Sequence, residues 1–261
     1  MGAVAAIPCD MSSFRDFASL PKAGKAARSA LPSACRICGA WPDGPVCDAC
    51  VKVGAPERPR CTRCALPLPL PDPTSNTGNP CPACRLQLPP WRSAYAAVDY
   101  TQPWSTLVAD LKFHGTPGLA VWMAARMAQV PGVALAIHEA HAVLPVPLSS
   151  ERLRERGYNQ SERLAHALAG PRKRIDWLQR VRSTDPQTGQ ARPARLSNLT
   201  GAFALAPRAL DAVRGSALLV VDDVMTTGAT LSVVSQVLID AGAASVDVLV
   251  FARTPSPADL S

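Results

Sequence analysis

Two groups of residues in this chain have types and spacings that do chemistry. The first is a set of four CxxC units, Cys35/Cys38, Cys47/Cys50, Cys61/Cys64 and Cys81/Cys84, which use eight of the nine cysteines and leave Cys9 apart. A CxxC turn sets two sulfurs on one side of a tight loop, and two such turns facing each other make the tetrahedral four-thiolate site that zinc prefers. The gap of 8 residues between the first two units and of 16 between the last two favours sequential pairing, with one zinc ion per pair, because short loops lose less entropy on closing. An interleaved pairing stays open. A site closed by four cysteines keeps no position for substrate, so both zinc ions are expected to be structural. A dithiol redox enzyme needs a single such unit at a helix start, which makes four of them surplus.

The second group is LLVVDDVMTTGATL, residues 218–231. Leu218 to Val221 read as a buried strand, Asp222 and Asp223 follow, and a Thr/Gly-rich stretch opens an amphipathic helix from Ala229. Such a loop offers backbone N–H groups and threonine hydroxyls at a helix N-terminus, where the dipole favours an anion. Two carboxylates at the carboxyl end of a strand can accept from vicinal sugar hydroxyls or orient Mg2+ through water. Adjacent like charges repel unless something binds them, so an ordinary turn explains this pair poorly. Phosphate plus ribose is the ligand that these residues suit. The chain has no GxxxxGK[ST] and no GxGxxG, which argues against the commoner nucleotide loops.

The elements that must position these residues follow from the apolar pattern. Beyond about Tyr95, short apolar runs alternate with amphipathic segments, the signature of an α/β domain with a parallel sheet. Strands are expected at 94–100, 142–146, 174–181, 217–221 and 245–252, and helices at 104–113, 119–129, 160–168 and 229–241. In the last helix Leu231, Val234, Leu238 and Ala241 recur at helical spacing. Residues 1–34 read as a tether with a short helix around Ser13–Leu20, 35–90 as the cysteine module, 94–254 as the α/β domain and 255–261 as a tail. Pro89-Pro90-Trp91 marks the boundary between module and domain.

The 261 residues are 48% apolar, with mean hydropathy +0.06, which excludes a wholly disordered chain. No stretch approaches the roughly 18 consecutive apolar residues of a membrane span, and Met1–Ile7 lacks the basic flank of an export signal. A cytoplasmic protein with reduced thiols is expected, so the cysteines favour metal over disulfides. The formal charge is +7. Residues 151–195 alone hold eleven Lys/Arg against five Asp/Glu, a net +6, and this local excess points to an anionic ligand: phosphate, pyrophosphate or a nucleic-acid backbone. Tyr158 and Trp177 in that segment, with Trp91 and Trp104 outside it, are candidates for stacking bases or for packing between domains.

VVDDVMTTGAT resembles the phosphoribosyl-pyrophosphate (PRPP) motif of type I phosphoribosyltransferases. A wider resemblance, over roughly residues 31–254, is to the ComF family of competence proteins. It is carried by the cysteine module, LKFHG (111–115), PVPLSSERLRERGYNQ (145–160), RSTDPQ with Arg195 and Asn198, and GAF (201–203). The resemblance implies a phosphoribosyltransferase-like sheet flanked by helices behind a double zinc ribbon. It implies that Asp222 and Asp223 meet the ribose hydroxyls and that Thr226, Thr227, Gly228, Ala229 and Thr230 wrap the 5′-phosphate. Val146, Pro147, Arg156 and Gly157 would hold pyrophosphate, with Mg2+ accompanying PRPP, and a loop containing Thr184, Gln187 and Arg195 would cover the site.

What such a site would do divides into three readings. The favoured one is a PRPP-binding protein of DNA uptake in natural transformation, meeting single-stranded DNA and DNA-uptake proteins. The others are an active Mg-dependent transferase of unknown acceptor, and a zinc-ribbon adaptor whose PRPP site is a relic. No catalytic residue is assigned, because Val224 and Met225 after the paired acids offer no general base. Glutamine-dependent amidophosphoribosyl transfer is not expected, since it needs an N-terminal cysteine nucleophile and the sequence begins Met1-Gly2. Lys112, taken alone, reads equally as a site residue or a solvated charge, and His138 and His141 lack the HExxH spacing of a metal helix.

Overall fold

A computed structural model of the chain describes residues 33–41, 44–69, 80–182, 199 and 201–256. The expected helix at 13–20, Cys9 and the covering loop with Thr184, Gln187 and Arg195 lie outside them. The chain divides into two compact units, Met1–Pro56 and Glu57–Ser261. The division falls inside the cysteine-rich segment, so Cys61, Cys64, Cys81 and Cys84 share a unit with the α/β sheet.

In the first unit α1 (Asp48–Gly54) starts directly after Cys47, with Asp48 in its first turn and Lys52 in its last, both suited to the helix dipole. In the second unit α2 (Pro82–Leu86) starts after Cys81 with proline in its first turn, where no N–H is needed. There follow β1 (Ser93–Asp99), α3 (Trp104–Phe113), α4 (Leu119–Ala128), α5 (Val133–Glu139), β2 (Ala142–Pro145), α6 (Ser150–Arg156), α7 (Gln160–Ala169), β3 (Leu178–Arg180), β4 (Phe203–Leu205), α8 (Leu210–Val213), β5 (Ala217–Met225), α9 (Ala229–Asp240) and β6 (Ser245–Arg253).

The main sheet has strand order β1-β6-β5-β2, and every neighbouring pair in it is parallel. Its central strands β5 and β6 read as near-continuous apolar runs because both of their faces are covered. One face packs Leu218, Val220, Val248 and Val250 into a cluster with Leu231, Val234 and Leu238 of α9, three of the four positions that the helical spacing singled out. Elsewhere in the unit Phe251 of β6 meets Trp104 and Trp122 edge-on, at ring separations of 6.4 Å.

The helices α1, α2, α5 and α8 and the strand β4 are additional to the expectation, and three further elements depart from it. The strand expected at 174–181 is reduced to β3, which pairs antiparallel with β4. Upstream of it only Lys173 bridges β2, at Val143. Arg172, Lys173, Arg174 and Asp176 cannot enter a covered sheet, and only Trp177 and Leu178 are buried there. Strand β5 runs four residues past Val221, because β6 is long enough to pair Val224 with Ala252 and Met225 with Arg253. Helix α6 was not anticipated. It buries no residue and so has no apolar stripe to read; it is held by its ends, with Ser149 Oγ accepting from the Arg152 N–H at 3.3 Å and Gly157 turning left-handed at φ 75°.

Candidate functional site

The paired acids belong to the last turns of pleat in β5, between β6 and β2. Asp223 reaches Lys112 in the final turn of α3, with Nζ 3.0 Å from Oδ2. Asp222 accepts from Ser161 Oγ of α7 at 2.7 Å and from the Asp223 backbone N–H at 2.9 Å. Asn159 caps α7 by accepting from the Ser161 N–H, while its amide donates to the Val146 carbonyl at 3.0 Å. The Tyr158 hydroxyl donates to the Leu111 carbonyl. The Arg156 guanidinium lies 4.8 Å above the Phe113 ring. Residues 111–113, Val146 and 156–161 are therefore linked to one another around the carboxylates of Asp222 and Asp223.

Burial first, and then the negative charge of Asp223, push the Asp222 carboxyl up to about 7, while Ser161 and Lys112 pull the other way. Burial also lowers the Arg156 guanidinium, against the attraction of Asp223, and Arg152 lowers it further. Beyond β5, Gly228 stands before α9 at φ 78°. A Cβ there would lie 3.2 Å from the Trp91 ring, so both the left-handed turn and the close approach require glycine. Thr226 is exposed, and Thr227 and Thr230 are half-buried at the open end of this loop.

Sequence reasoning left Lys112 balanced and gave Ser161 no role, since a side-chain bond across 61 positions leaves no local pattern. Of the stacking candidates, Trp91, Trp104 and Trp177 are buried, with Trp177 stacked on His141 at 6.4 Å, whereas Tyr158 is half-buried with the Arg163 guanidinium 6.0 Å from its ring centre. Phe113 is the aromatic that stands out beside the site, 66% exposed. His138 and Glu139 lie exposed at the end of α5, where Glu139 pairs with Arg92 at 3.1 Å, and they join no group of metal-binding side chains among the described residues.

The eight CxxC cysteines form two groups paired in sequence, Cys35/Cys38/Cys47/Cys50 and Cys61/Cys64/Cys81/Cys84, with the ligand atoms of each within 4.8 Å of one another. A four-thiolate zinc site with Zn–S bonds of about 2.3 Å has tetrahedral edges of about 3.8 Å. The Sγ–Sγ separations are 3.9 Å for Cys35–Cys50, 3.7 Å for Cys38–Cys47 and 3.7 Å for Cys64–Cys81. Backbone N–H groups of Arg63 and Cys81 point at Cys61 Sγ. The Cys64 thiol and these donors carry Cys61 down to about 4 against its burial. Burial opposes the same effect at Cys35, where the N–H groups of Cys38, Cys47 and Ile37 bring it to about 6. Burial, and for Cys64 first the Cys61 thiol, pushes Cys47, Cys50, Cys64 and Cys84 the other way, so it is by the four-sulfur geometry, with N–H donors aimed at Cys35 and Cys61, that both groups could hold zinc.

Among the described residues no single helix is long and apolar enough to cross a membrane. Only α4 with α5 passes on length and composition, and that pair is bent by 98°.

Residues 154–261 match the phosphoribosyl transferase domain family. The DNA utilization protein YhgH of Salmonella typhimurium is 33% identical over 235 residues, covering 86% of this chain and 98% of that protein. YhgH of Escherichia coli K12 is 28% identical over 246 residues, with the same coverage of 86% and 98%. Competence protein F of Haemophilus influenzae is 32% identical over 192 residues, 66% of this chain and 78% of that protein. On this similarity the chain belongs to the ComF family, as a competence-related protein with a phosphoribosyltransferase-like domain.

Proposed function

We propose that this protein binds PRPP with Mg2+ at the end of β5 and works in DNA uptake during natural transformation, handling incoming single-stranded DNA in the cytosol. The observation that carries the reading is the arrangement around Asp222 and Asp223: Lys112 and Ser161 fix the two carboxylates at the mouth of a glycine-turned loop that opens α9. In this reading the carboxylates accept from the ribose 2′ and 3′ hydroxyls, and residues 226–230 donate to the 5′-phosphate. The stretch Val146–Pro147, with Arg156 and Gly157, takes the pyrophosphate. Mg2+ bound with PRPP neutralises pyrophosphate charge. Calorimetric titration of the metal-replete protein with PRPP and Mg2+ is expected to give saturable binding. Its absence in a folded sample would overturn the proposal.

The two four-cysteine groups hold one structural zinc ion each in this proposal, and metal analysis of the purified protein should give close to two zinc per chain. A folded sample with almost no zinc would remove that part.

For single-stranded DNA, the supporting features are Arg152, Arg154, Arg156 and Arg163 on α6 and α7, with the exposed Phe113 ring beside Arg156 to stack on a base. Affinity for an oligonucleotide should fall as salt rises, with a log–log slope of about −0.7 per phosphate contact. A flat response would argue against this surface.

A further inference from the structure

Two buried side chains join the second cysteine group to the phosphate loop. The Cys61–Cys64 turn offers two carbonyls as acceptors to these side chains. Arg63 O accepts from Trp91 Nε1 at 2.5 Å, and Cys64 O accepts from Arg253 Nε at 2.8 Å. At its other end the Arg253 guanidinium donates from Nη1 to Met225 O at 3.0 Å, to Thr226 O and to Thr254 O at 2.7 Å. The Trp91 ring lies against the backbone of Gly228. Ala65, which follows the CxxC turn, is fully buried in the same apolar cluster as Trp91 and Met225. Trp91 and Arg253 are themselves only 2% and 6% exposed.

We infer that Arg253 and Trp91 are positioning residues through which the metal-holding Cys61/Cys64/Cys81/Cys84 group sets the conformation of the phosphate loop at 225–228. The loop's ligand rests on the reading proposed above; the coupling does not. A buried guanidinium must keep its acceptors, because leaving one unmade costs far more than a solvated charge would. The direction of the Cys64 carbonyl is fixed by the turn that its own sulfur closes, so loosening the sulfurs removes one acceptor. The cation that holds the Met225 and Thr226 carbonyls then shifts with it. Coupling of this kind is reciprocal: a ligand that orders the loop tightens the metal by the same factor. The Cys35/Cys38/Cys47/Cys50 group lies in the other compact unit and is the internal control.

The test uses the zinc-loaded full chain and follows zinc release to the chromogenic chelator 4-(2-pyridylazo)resorcinol. PRPP with Mg2+ should slow the loss of one of the two zinc ions by about fivefold or more and leave the other unchanged. Arg253→Gln should abolish that protection and weaken PRPP binding, and Arg253→Lys, which keeps a charge and donors, should restore part of both. Equal protection of both ions, or none while calorimetry shows PRPP bound, overturns the inference. If the wild-type protein binds no PRPP, the proposed function falls and amide hydrogen exchange decides the coupling. Cys84→Ser should then raise exchange across 225–230, whereas Cys50→Ser should not. The same change in both variants, or in neither, overturns it. Should Arg253→Gln fail to fold, Arg253→Lys carries the comparison.

Discussion

Replacing Asp222 and Asp223 together with alanine is expected to remove PRPP binding from calorimetric detection while the protein stays folded. A hydrogen bond to an ionised carboxylate contributes about 1.5–3 kcal/mol, so losing two of them weakens binding by roughly 100-fold or more, at about 1.4 kcal/mol per tenfold. The fold should tolerate the change for two reasons. Asp222 is held in surroundings that already disfavour its charge. Lys112 loses its partner on Asp223, but its side chain is 21% exposed and can hydrate. The paired measurements are a titration with PRPP and Mg2+ and a thermal melt of the same sample. Unchanged affinity would remove the acids from the site; a collapsed melt would make them structural.

The parts of this site that were legible in the sequence are those written within one element. The strand–acid–glycine–helix order of 218–231 is local, and so is the spacing of Leu231, Val234 and Leu238 that gives α9 its buried face. Gap lengths favoured the sequential cysteine pairing and left an interleaved one open, and the two groups of sulfurs decide between them. What was not legible has two physical origins. Helix α6 owes nothing to an apolar face and everything to Ser149 and Gly157 at its ends, so periodicity passes over it. Contacts such as Ser161 to Asp222 or Arg253 to Cys64, 61 and 189 positions apart, exist only after the chain has closed. They are also the contacts that decide what the acids and the loop can do. Lys112 illustrates the point: its identity is compatible with a solvated surface, and only the position of α3 over the end of β5 turns it into the partner of Asp223.

Asp222→Asn, measured without PRPP, should stabilise the folded protein at pH 8 and have almost no effect near pH 4. Burial, with the neighbouring charge of Asp223, raises the folded-state carboxyl to about 7, whereas in the unfolded chain it titrates near its ordinary value of about 3.9. Between these values the folded state holds a proton that the unfolded state has released. Wild-type stability therefore falls as pH rises from about 4 to about 7, and levels off above. At about 1.4 kcal/mol per unit, the asparagine variant gains on the order of 2–4 kcal/mol by pH 8. Asparagine keeps an oxygen for Ser161 Oγ and the Asp223 N–H, so those two bonds survive the change. Lys112 and Asp223 are the other charges acting on the group, and both remain in the variant. Denaturant melts at pH 4, 6 and 8 on both proteins give the comparison, and a gap independent of pH would show that Asp222 is an ordinary surface carboxylate. The same variant should bind PRPP more weakly, because one acceptor oxygen has become a donor facing the ribose hydroxyls. More stability with less binding is the signature of a charge kept in place for its ligand.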